Sequence, residues 1–528
     1  MHKSFSRKAL LLALFVAVYL VPFVRALWRV GDEGTMVYGA QRVAEGAVPY
    51  RDFFVENAGP ATFYILGGAF RLFGATFLTA RAVLLATGVL TAVLVYWLTR
   101  RVYRGTFESL PAILVALLSI PLWPATSHHW DSNLFALAAV GAFCKWKDSG
   151  RKAWLAAAGI LAGVTSCSMQ QKGLLILLGL LVSLGAVRKR AGEPPGGAAR
   201  AGWLAGGYGA VGLVVVFLFW TAGGLRDLVF DTLIWPLTSY SGLNSVPYGF
   251  GMGAFWDTWK AALPALLPVF AVPPVRALMG APLLLILALP AVAAGLAVAG
   301  WRRSGRPGIF DAAVLPYWLA GAGLWISEIQ RKDWAHLIYG APLLLIAGFV
   351  AWNRLLEKHP GWRRLPLAGL AAGMYLLAGY NALAALTANR IMPTRRGPVY
   401  AFQEDGALRF LHEKVGPGEN VFVYPYYSMY YFLAGVRNPT RHTMLLYHVN
   451  TDAQFQAAIG DLERRQVRYV LWDTVVENAR MQNWFPAYRP PPPEQMRMEA
   501  YLSSRFEVIE IRNGFRILRR RDSGARRD

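Results

Sequence analysis

Cysteine is almost missing, with two in 528 residues, so no disulfide framework holds this chain together. Charge is scarce as well: 16% of residues, and far fewer acids (31) than bases (54). A water-soluble chain would carry about a quarter charged residues and divide into roughly three domains at this length. A disordered or fibrous chain would not be 55% hydrophobic. What is present is a series of long apolar runs, the composition of a polytopic membrane protein. The formal charge of +23 would suit nucleic acid if it lay on one soluble face. It comes instead as short basic clusters between apolar runs, so nucleic acid is not an expected partner.

A hydrocarbon core of roughly 30 Å takes about 20 apolar residues as a helix. About eleven runs fit this length: residues 8–27, 79–99, 108–125, 132–146, 153–170, 172–187, 203–222, 279–300, 310–327, 337–352 and 365–388. Lys3, Arg7 and Lys8 precede the first. Later clusters are Arg100, Arg101 and Arg104; Lys145, Lys147, Arg151 and Lys152; Arg188 to Arg190; Arg302, Arg303 and Arg306; and Arg354, Lys358, Arg363 and Arg364. With the N-terminus in the cytoplasm every cluster falls on the cytoplasmic side, as the positive-inside rule requires. An odd number of spans then puts the C-terminal region outside. A cleaved signal peptide ending near Ala26 is the weaker reading, because an uncleaved first span makes the charge alternation work. The fold class expected is therefore an all-α polytopic membrane domain, residues 1–388, followed by a small extracytoplasmic α/β domain, residues 389–528.

The first outer loop, 28–78, contains an apolar run from Pro60 to Gly74, too short to cross, which reads as an interfacial or re-entrant helix. A second long outer stretch, 223–278, is rich in Trp, Tyr, Gly and Pro. Beyond residue 389, Val421–Tyr424, Arg468–Trp472 and Phe506–Ile511 read as strands, Thr451–Arg465 as an amphipathic helix, and the proline run at 489–494 as a loop. Cys144 and Cys167 sit near opposite ends of their spans, too far apart to pair. Gly207 to Gly212 matches G-x-G-x-x-G, but inside an apolar span with no strand before it, so it reads as small-residue helix packing and not as a nucleotide loop.

The spans themselves hold almost no ionisable groups, which argues against an ion or proton path through the bilayer. Polar residues gather instead at the outer surface. Asp32 and Glu33 follow the first span, Glu56 precedes the interfacial helix, and His128, His129 and Asp131 lie in the second outer turn. Gln170, Gln171 and Lys172 lie in the third turn, and Glu328, Arg331, Lys332, Asp333 and His336 in the last. Carboxylates facing a cationic cluster at the lipid–water boundary suit a reaction that deprotonates an acceptor and expels an anionic phosphate.

The loop Gly31-Asp32-Glu33-Gly34, then Ala44-Glu45-Gly46, Pro49-Tyr50, Asp52-Phe53, Gly59-Pro60, Tyr64, Phe73-Gly74 and Arg81, resembles the start of membrane glycosyltransferases of the GT-C superfamily. The type is that of family 39-like bacterial proteins: protein-mannosyltransferases, aminoarabinose transferases and lipopolysaccharide-core galacturonosyltransferases. Arg331, Asp333, His336 and Pro342 in the last outer turn are also similar to theirs. The resemblance implies transfer of a sugar, hexosyl or pentosyl, from a polyprenyl-phosphate donor to a cell-envelope glycan, lipid or protein acceptor. It implies reaction outside the bacterial cytoplasmic membrane with inversion at the anomeric carbon. The role of general base carries over to Asp32, with Glu33 matching the second acid of the mannosyltransferase pair and Asp131 an acid between the third and fourth spans. Donor phosphate would meet Arg331, Lys332, His336 and Lys172, and substrate would meet Glu56, Tyr64, His128, His129 and Gln171. Aminoarabinose transferases carry a Glu-Lys-Pro where this chain has Glu56-Asn57-Ala58-Gly59-Pro60, so that lysine is lacking here.

Each residue also has a plainer reading. An acidic pair after a transmembrane helix is often only solvated loop, and Arg331 and Lys332 equally suit anchors to lipid headgroups. His128, His129 and Asp131 read as helix capping ahead of metal ligation, since adjacent histidines do not easily face one ion and spacing fixes no fourth ligand. No cofactor and no metal site is assigned; a divalent ion held by Asp32 and Asp131, as in some relatives, is the alternative. The aromatic run Tyr424 to Phe432 suits a sheet face or an interface belt better than a sugar platform. The rival functions are a polyprenyl-lipid or glycan flippase, which would need polar groups at mid-membrane, and a non-catalytic envelope-assembly protein.

Overall fold

The computed structural model describes residues 2–27, 31–55, 58–186, 197–240, 242–304 and 311–521. Glu56, the basic run 188–190 and Arg306 lie outside the described residues. The membrane part contains, in order, α1 (His2–Arg25), α2 (Asp32–Ala44), α3 (Ala61–Phe73), α4 (Phe77–Val102), α5 (Leu110–Leu118), α6 (His128–Ser149), α7 (Lys152–Ser168) and α8 (Gln170–Ala186). It continues with α9 (Gly197–Thr221), α10 (Leu225–Val229), α11 (Met252–Ala262), α12 (Val272–Ser304), α13 (Leu315–Ser327), α14 (Trp334–Gly340), α15 (Pro342–Leu355) and α16 (Pro360–Leu386). The C-terminal part adds β1 (Arg390–Met392), β2 (Val399–Ala401), α17 (Gly406–Lys414), β3 (Val421–Tyr424), α18 (Met429–Ala434) and α19 (Asp452–Arg464), then β4 (Tyr469–Asp473), α20 (Arg497–Arg505), β5 (Phe506–Arg512) and β6 (Phe515–Arg520).

Every run expected to span falls largely on a helix except 108–125, which is helical only over α5. Among the described residues five stretches are long and apolar enough to cross: Arg7–Arg25, Phe77–Val102, Gly197–Thr221, Val269–Arg302 and Pro360–Leu386. The pair α14 and α15 passes the same test together but is bent by 64°, which suits a broken span or a re-entrant loop. This is a multi-pass membrane protein. The remaining predicted spans are helices too short or too charged to qualify on length and composition, so a count of eleven stays an expectation.

Small residues let these helices approach. A Cβ on Gly207 would stand 2.3 Å from the Ala156 carbonyl oxygen, and one on Gly159 2.0 Å from that of Leu204, so α7 and α9 touch backbone to backbone. Of the three glycines of the motif only Gly207 has the packing role read for it; a Cβ on Gly209 or Gly212 would meet nothing within 4 Å. Cys144 and Cys167 are free thiols. On α3, Thr62, Phe63, Leu66, Gly67 and Phe70 are buried, whereas Tyr64, Ile65, Leu72 and Phe73 are exposed; this is the two-faced pattern of a helix at the lipid boundary.

The C-terminal sheet has the order β3-β4-β6-β5, with β3 and β4 parallel and the other pairs antiparallel. The three expected strands and the helix at α19 are present, the latter started by a Thr451–Gln454 capping box. Strand β6, the β1–β2 hairpin and helix α2 are additions. The C-terminal part does not stand apart from the first outer loop. One hydrophobic cluster joins Val37, Tyr38 and Ala40 of α2, Leu66 and Phe70 of α3 and Phe77 of α4 to Met429–Val436, Val423, Leu471 and Ile517. Phe70 stacks on Phe432 with ring centres 5.7 Å apart, and the Tyr38 hydroxyl accepts from the Asn438 N–H at 3.0 Å. Each such aromatic, fully buried, contributes roughly 1.5–3 kcal/mol, which makes a rigid seam between the two parts.

Candidate functional site

A cavity of about 410 Å³ lies where the outer turns meet the C-terminal part. Its wall on one side is the start of α2, with Gly31, Asp32, Thr35 and Met36; across from these come His128, His129, Gln171, Glu328, Arg331, Asp333, His336 and Tyr339. Tyr426, Tyr427, Met444, Trp484 and Phe485 roof it. Close approach explains the first-loop glycines. A Cβ on Gly31 would meet the Tyr426 ring at 2.6 Å, and one on Gly34 would stand 2.1 Å from the Met429 nitrogen, so only glycine lets α18 and its roof settle on α2.

Asp32 is the first residue of α2 and is exposed. Glu33, its neighbour, points elsewhere. It is fully buried, pairs with Arg81 at 2.7 Å and accepts the Thr126 N–H at 3.0 Å. Arg81, also buried, donates further to the carbonyls of Pro124 and Ala26. This ion pair ties the end of α1, α2, α4 and the turn before α6 into one frame. Glu33, expected beside Asp32 as a second acid of the site, does not line the cavity, and its carboxylate is engaged by Arg81 and Thr126.

Asp131 is likewise buried, faces Thr62 and Thr87 and does not line the cavity. Tyr64 is 46% exposed on α3, away from it. Lys332 does not line the cavity, and its carbonyl accepts from the Gly249 N–H at 2.7 Å. Lys172 is fully buried behind the wall, bonded to Ser132, Asn133 and Glu328. Direct phosphate contact by Lys172 or Lys332 is therefore not what this arrangement offers. Arg331 lines the cavity but is held by three partners: Asp333 (2.7 Å), Asn244 (2.7 Å) and the Trp484 carbonyl (2.8 Å), with its guanidinium over the Phe485 ring.

The last outer turn organises the imidazoles. Asp333 caps α14 by accepting from the His336 N–H at 3.0 Å and also holds His336 Nδ1 at 2.7 Å. His129 stacks flat on Tyr339 with centres 4.3 Å apart and lies 4.9 Å from the His336 ring. Glu328 bridges Lys172 at 2.7 Å and His129 Nδ1 at 3.4 Å. Burial pushes the Glu328 carboxyl up, but the Lys172 charge, then His129, more than offset it and hold it well below the usual range. Asp333 behaves alike: burial pushes it up, and His336, then Arg331, bring it well below.

Ligand atoms of His129, Glu328 and His336 lie within 4.8 Å of one another. Two imidazoles, a carboxylate and an open side form the donor set of a divalent, zinc-type centre, and Asp333 on His336 Nδ1 is the outer carboxylate such a ligand usually has. Lys172 takes one Glu328 oxygen, leaving the other toward the imidazoles. These residues fit an ion. Sequence spacing hid the set because His129 lies some two hundred residues before Glu328 and His336, and it likewise hid the roof from Tyr426 to Phe485, whose aromatic run divides between β3, the cavity and α18.

No family model matches the sequence, and no curated protein does. Among solved structures, the chain is similar to the archaeal oligosaccharyltransferase AglB from Archaeoglobus fulgidus in complex with an inhibitory peptide and a dolichol-phosphate. There the identity is 15% and the TM-score 0.51, over 90% of this chain and 70% of that one. An Archaeoglobus fulgidus oligosaccharyltransferase in complex with Zn and sulfate gives 15% identity and a TM-score of 0.53, over 90% and 69% of the two chains. ArnT from Cupriavidus metallidurans bound to undecaprenyl phosphate gives 13% identity and a TM-score of 0.54, over 100% of both chains. At these identities the likeness is one of fold alone, a fold this chain shares with the oligosaccharyltransferase and with ArnT.

Proposed function

We propose that this protein is a glycosyltransferase that moves a hexosyl or pentosyl group from a polyprenyl-phosphate donor to a cell-envelope glycan, lipid or protein acceptor. The reaction takes place with inversion at the outer face of a bacterial cytoplasmic membrane, the N-terminus inside and the C-terminal part outside. One observation carries the reading: the exposed carboxylate of Asp32 opens into a cavity whose facing wall is built of imidazoles and a fixed guanidinium. The lipid phosphates bound by the two similar enzymes, dolichol-phosphate and undecaprenyl phosphate, support a donor of that class.

Chemically, a sugar hydroxyl is a poor nucleophile at neutral pH. Asp32 accepts the acceptor's proton as the hydroxyl oxygen attacks the anomeric carbon, a contribution of about 10²- to 10⁴-fold. The bond from that carbon to the phosphate oxygen breaks on the opposite face, which inverts the centre. The charge gained by the departing lipid phosphate meets His128 and Arg331, groups fixed before the reaction begins. Glu33 and Arg81 act as positioning residues that aim the start of α2, and Lys172 positions Glu328. A divalent ion held by His129, Glu328 and His336 would supply Lewis-acid stabilisation of the phosphate. Tyr426, Tyr427, Trp484 and Phe485 offer ring faces on which a sugar stacks.

The test is release of sugar from a panel of polyprenyl-phosphate sugars by purified wild type and Asp32→Asn, side by side. Turnover of one donor that Asp32→Asn abolishes, with the variant folded and still binding donor, is the expected result. No turnover of any donor by wild type, with envelope acceptors and divalent metal supplied, would move the weight to a non-catalytic or transport role.

A further inference from the structure

A second cleft, of about 730 Å³, opens between the C-terminal end of α2, the following loop and α19. Five arginines line it, Arg42, Arg437, Arg441, Arg464 and Arg465, against three acids. Two of the acids are matched by arginines, and the third, Glu45, is bonded to an uncharged amide and keeps its charge. Asp52 is gripped by Arg51 at 2.8 and 2.9 Å and by the Val48 N–H, Asp461 pairs with Arg464, and Glu45 accepts from Gln41 at 2.8 Å. Arg441 is directed to the Tyr50 carbonyl and toward Asp227 and Asp231. That leaves Arg42, Arg437 and Arg465 with no acid within ion-pair distance among the described residues. Guanidiniums left unmatched around a space of this size are the usual recognition chemistry of phosphate. The wall also buries the side-chain oxygen of Asn420 without a hydrogen-bond donor, a place for a hydroxyl.

The position adds to this. Helix α2 has 13 residues, about 20 Å from end to end, and carries Asp32 at one end and Arg42 near the other. Beside the cleft, Arg51 donates to the Ala222 carbonyl just past the end of α9, which keeps it at the outer surface. The cleft is separate from the catalytic cavity, with no lining residue in common.

We infer that this cleft is a binding site for a phosphate group borne on a hydroxylated carrier, held by Arg42, Arg437 and Arg465. Two sources share that chemistry, a phosphorylated saccharide and the headgroup of an anionic glycerolipid. Binding is measured without turnover, so the inference stands or falls apart from the transfer reaction.

The experiment is calorimetric titration of the full chain in neutral detergent with three probes: glucose 1-phosphate, dihexanoyl-phosphatidylglycerol and dihexanoyl-phosphatidylcholine. Wild type is run beside Arg42→Gln/Arg437→Gln/Arg465→Gln, with an Arg437→Gln/Arg465→Gln double variant at two exposed positions in case the triple is unstable. The expected result is saturable binding that weakens about tenfold for each guanidinium removed and also weakens with salt. Binding of glucose 1-phosphate assigns a saccharide phosphate, and binding of the phosphatidylglycerol probe alone, with none of the zwitterionic probe, assigns a lipid headgroup. Absence of saturable binding by either anionic probe, or equal affinity in wild type and the folded variants, overturns the inference.

Discussion

Asp32 and Glu33 are adjacent, both acidic and both in the first turn of α2, yet their substitution by the corresponding amides should disturb different quantities. Glu33 and Arg81 are 0% and 2% exposed and 2.7 Å apart. Removing one partner of such a pair strands the other charge and costs about 3–5 kcal/mol. Arg81 retains the Pro124 and Ala26 carbonyls, which places Glu33→Gln near the lower end, about 3 kcal/mol of stability. Asp32→Asn removes an exposed charge near a helix N-terminus, worth roughly 0.3–1 kcal/mol. Its effect belongs on the barrier: loss of a general base slows turnover about 10²- to 10⁴-fold, or roughly 3–5 kcal/mol of activation. The assay is thermal unfolding in detergent together with turnover per folded molecule for both variants. Glu33→Gln should unfold several degrees earlier while its folded fraction keeps most turnover; Asp32→Asn should melt with wild type and be nearly dead. If Glu33→Gln proved as stable as wild type while losing as much turnover as Asp32→Asn, the division between a chemical and a structural acid would be refuted.

Three further outcomes follow from the same geometry. Wild type should bind one Zn²⁺ in titration after chelation, and His336→Ala should weaken that binding at least about tenfold by removing a ligand; equal affinity, or no uptake by wild type, rejects the ion site. Gly34→Ala places a methyl 2.1 Å from the Met429 nitrogen, an overpacking cost of about 1–3 kcal/mol or more, and should speed proteolysis of the C-terminal part; unchanged cleavage rejects the seam. Asp231 is buried, with one oxygen that receives no hydrogen bond and has Arg441 only at 4.0 Å; burial pushes its carboxyl up to about 7, with Arg441 opposing and Asp227 adding. Between about 4 and 7 the unfolded chain gives up this proton while the folded protein keeps it, so stability falls as pH rises, by at most about 4 kcal/mol. Asp231→Asn should flatten that slope in unfolding measured from pH 4 to 8, and an unchanged slope removes Asp231 as its source.

What the sequence makes legible is what depends on one-dimensional pattern. Apolar length located the helices, and short runs of β-branched and aromatic residues located β3 and β4, because both signals are local. The 13-residue α2 was missed because its hydrophobic face is matched not to lipid but to α18, some four hundred residues away. For the same reason Glu33 and Asp32 look alike in sequence: only Arg81, brought beside Glu33 by α4, distinguishes them. Lys172 presents the converse case. Next to Gln171 at the head of a span it suggests a free cation at the surface, but Glu328, Ser132 and Asn133 take it up behind the wall. Charge in a sequence says where a group sits along the membrane normal; its partner decides whether it is available.

The C-terminal part is then better understood as half of the site than as an appended domain. The membrane part supplies Asp32 and the histidines, but an open, watery surface would screen any charge these present. Tyr426, Tyr427, Met444, Trp484 and Phe485 close the space from above, and the closure is fastened at two points. Gly31 and Gly34 admit Tyr426 and α18 on one side, and Arg331 binds the Trp484 carbonyl and underlies Phe485 on the other. Electrostatic stabilisation of a departing phosphate gains its strength from exclusion of water, so the roof should govern rate as well as specificity. Arg331, bonded to the last outer turn, to Asn244 and to the roof at once, is where those three pieces are held in register.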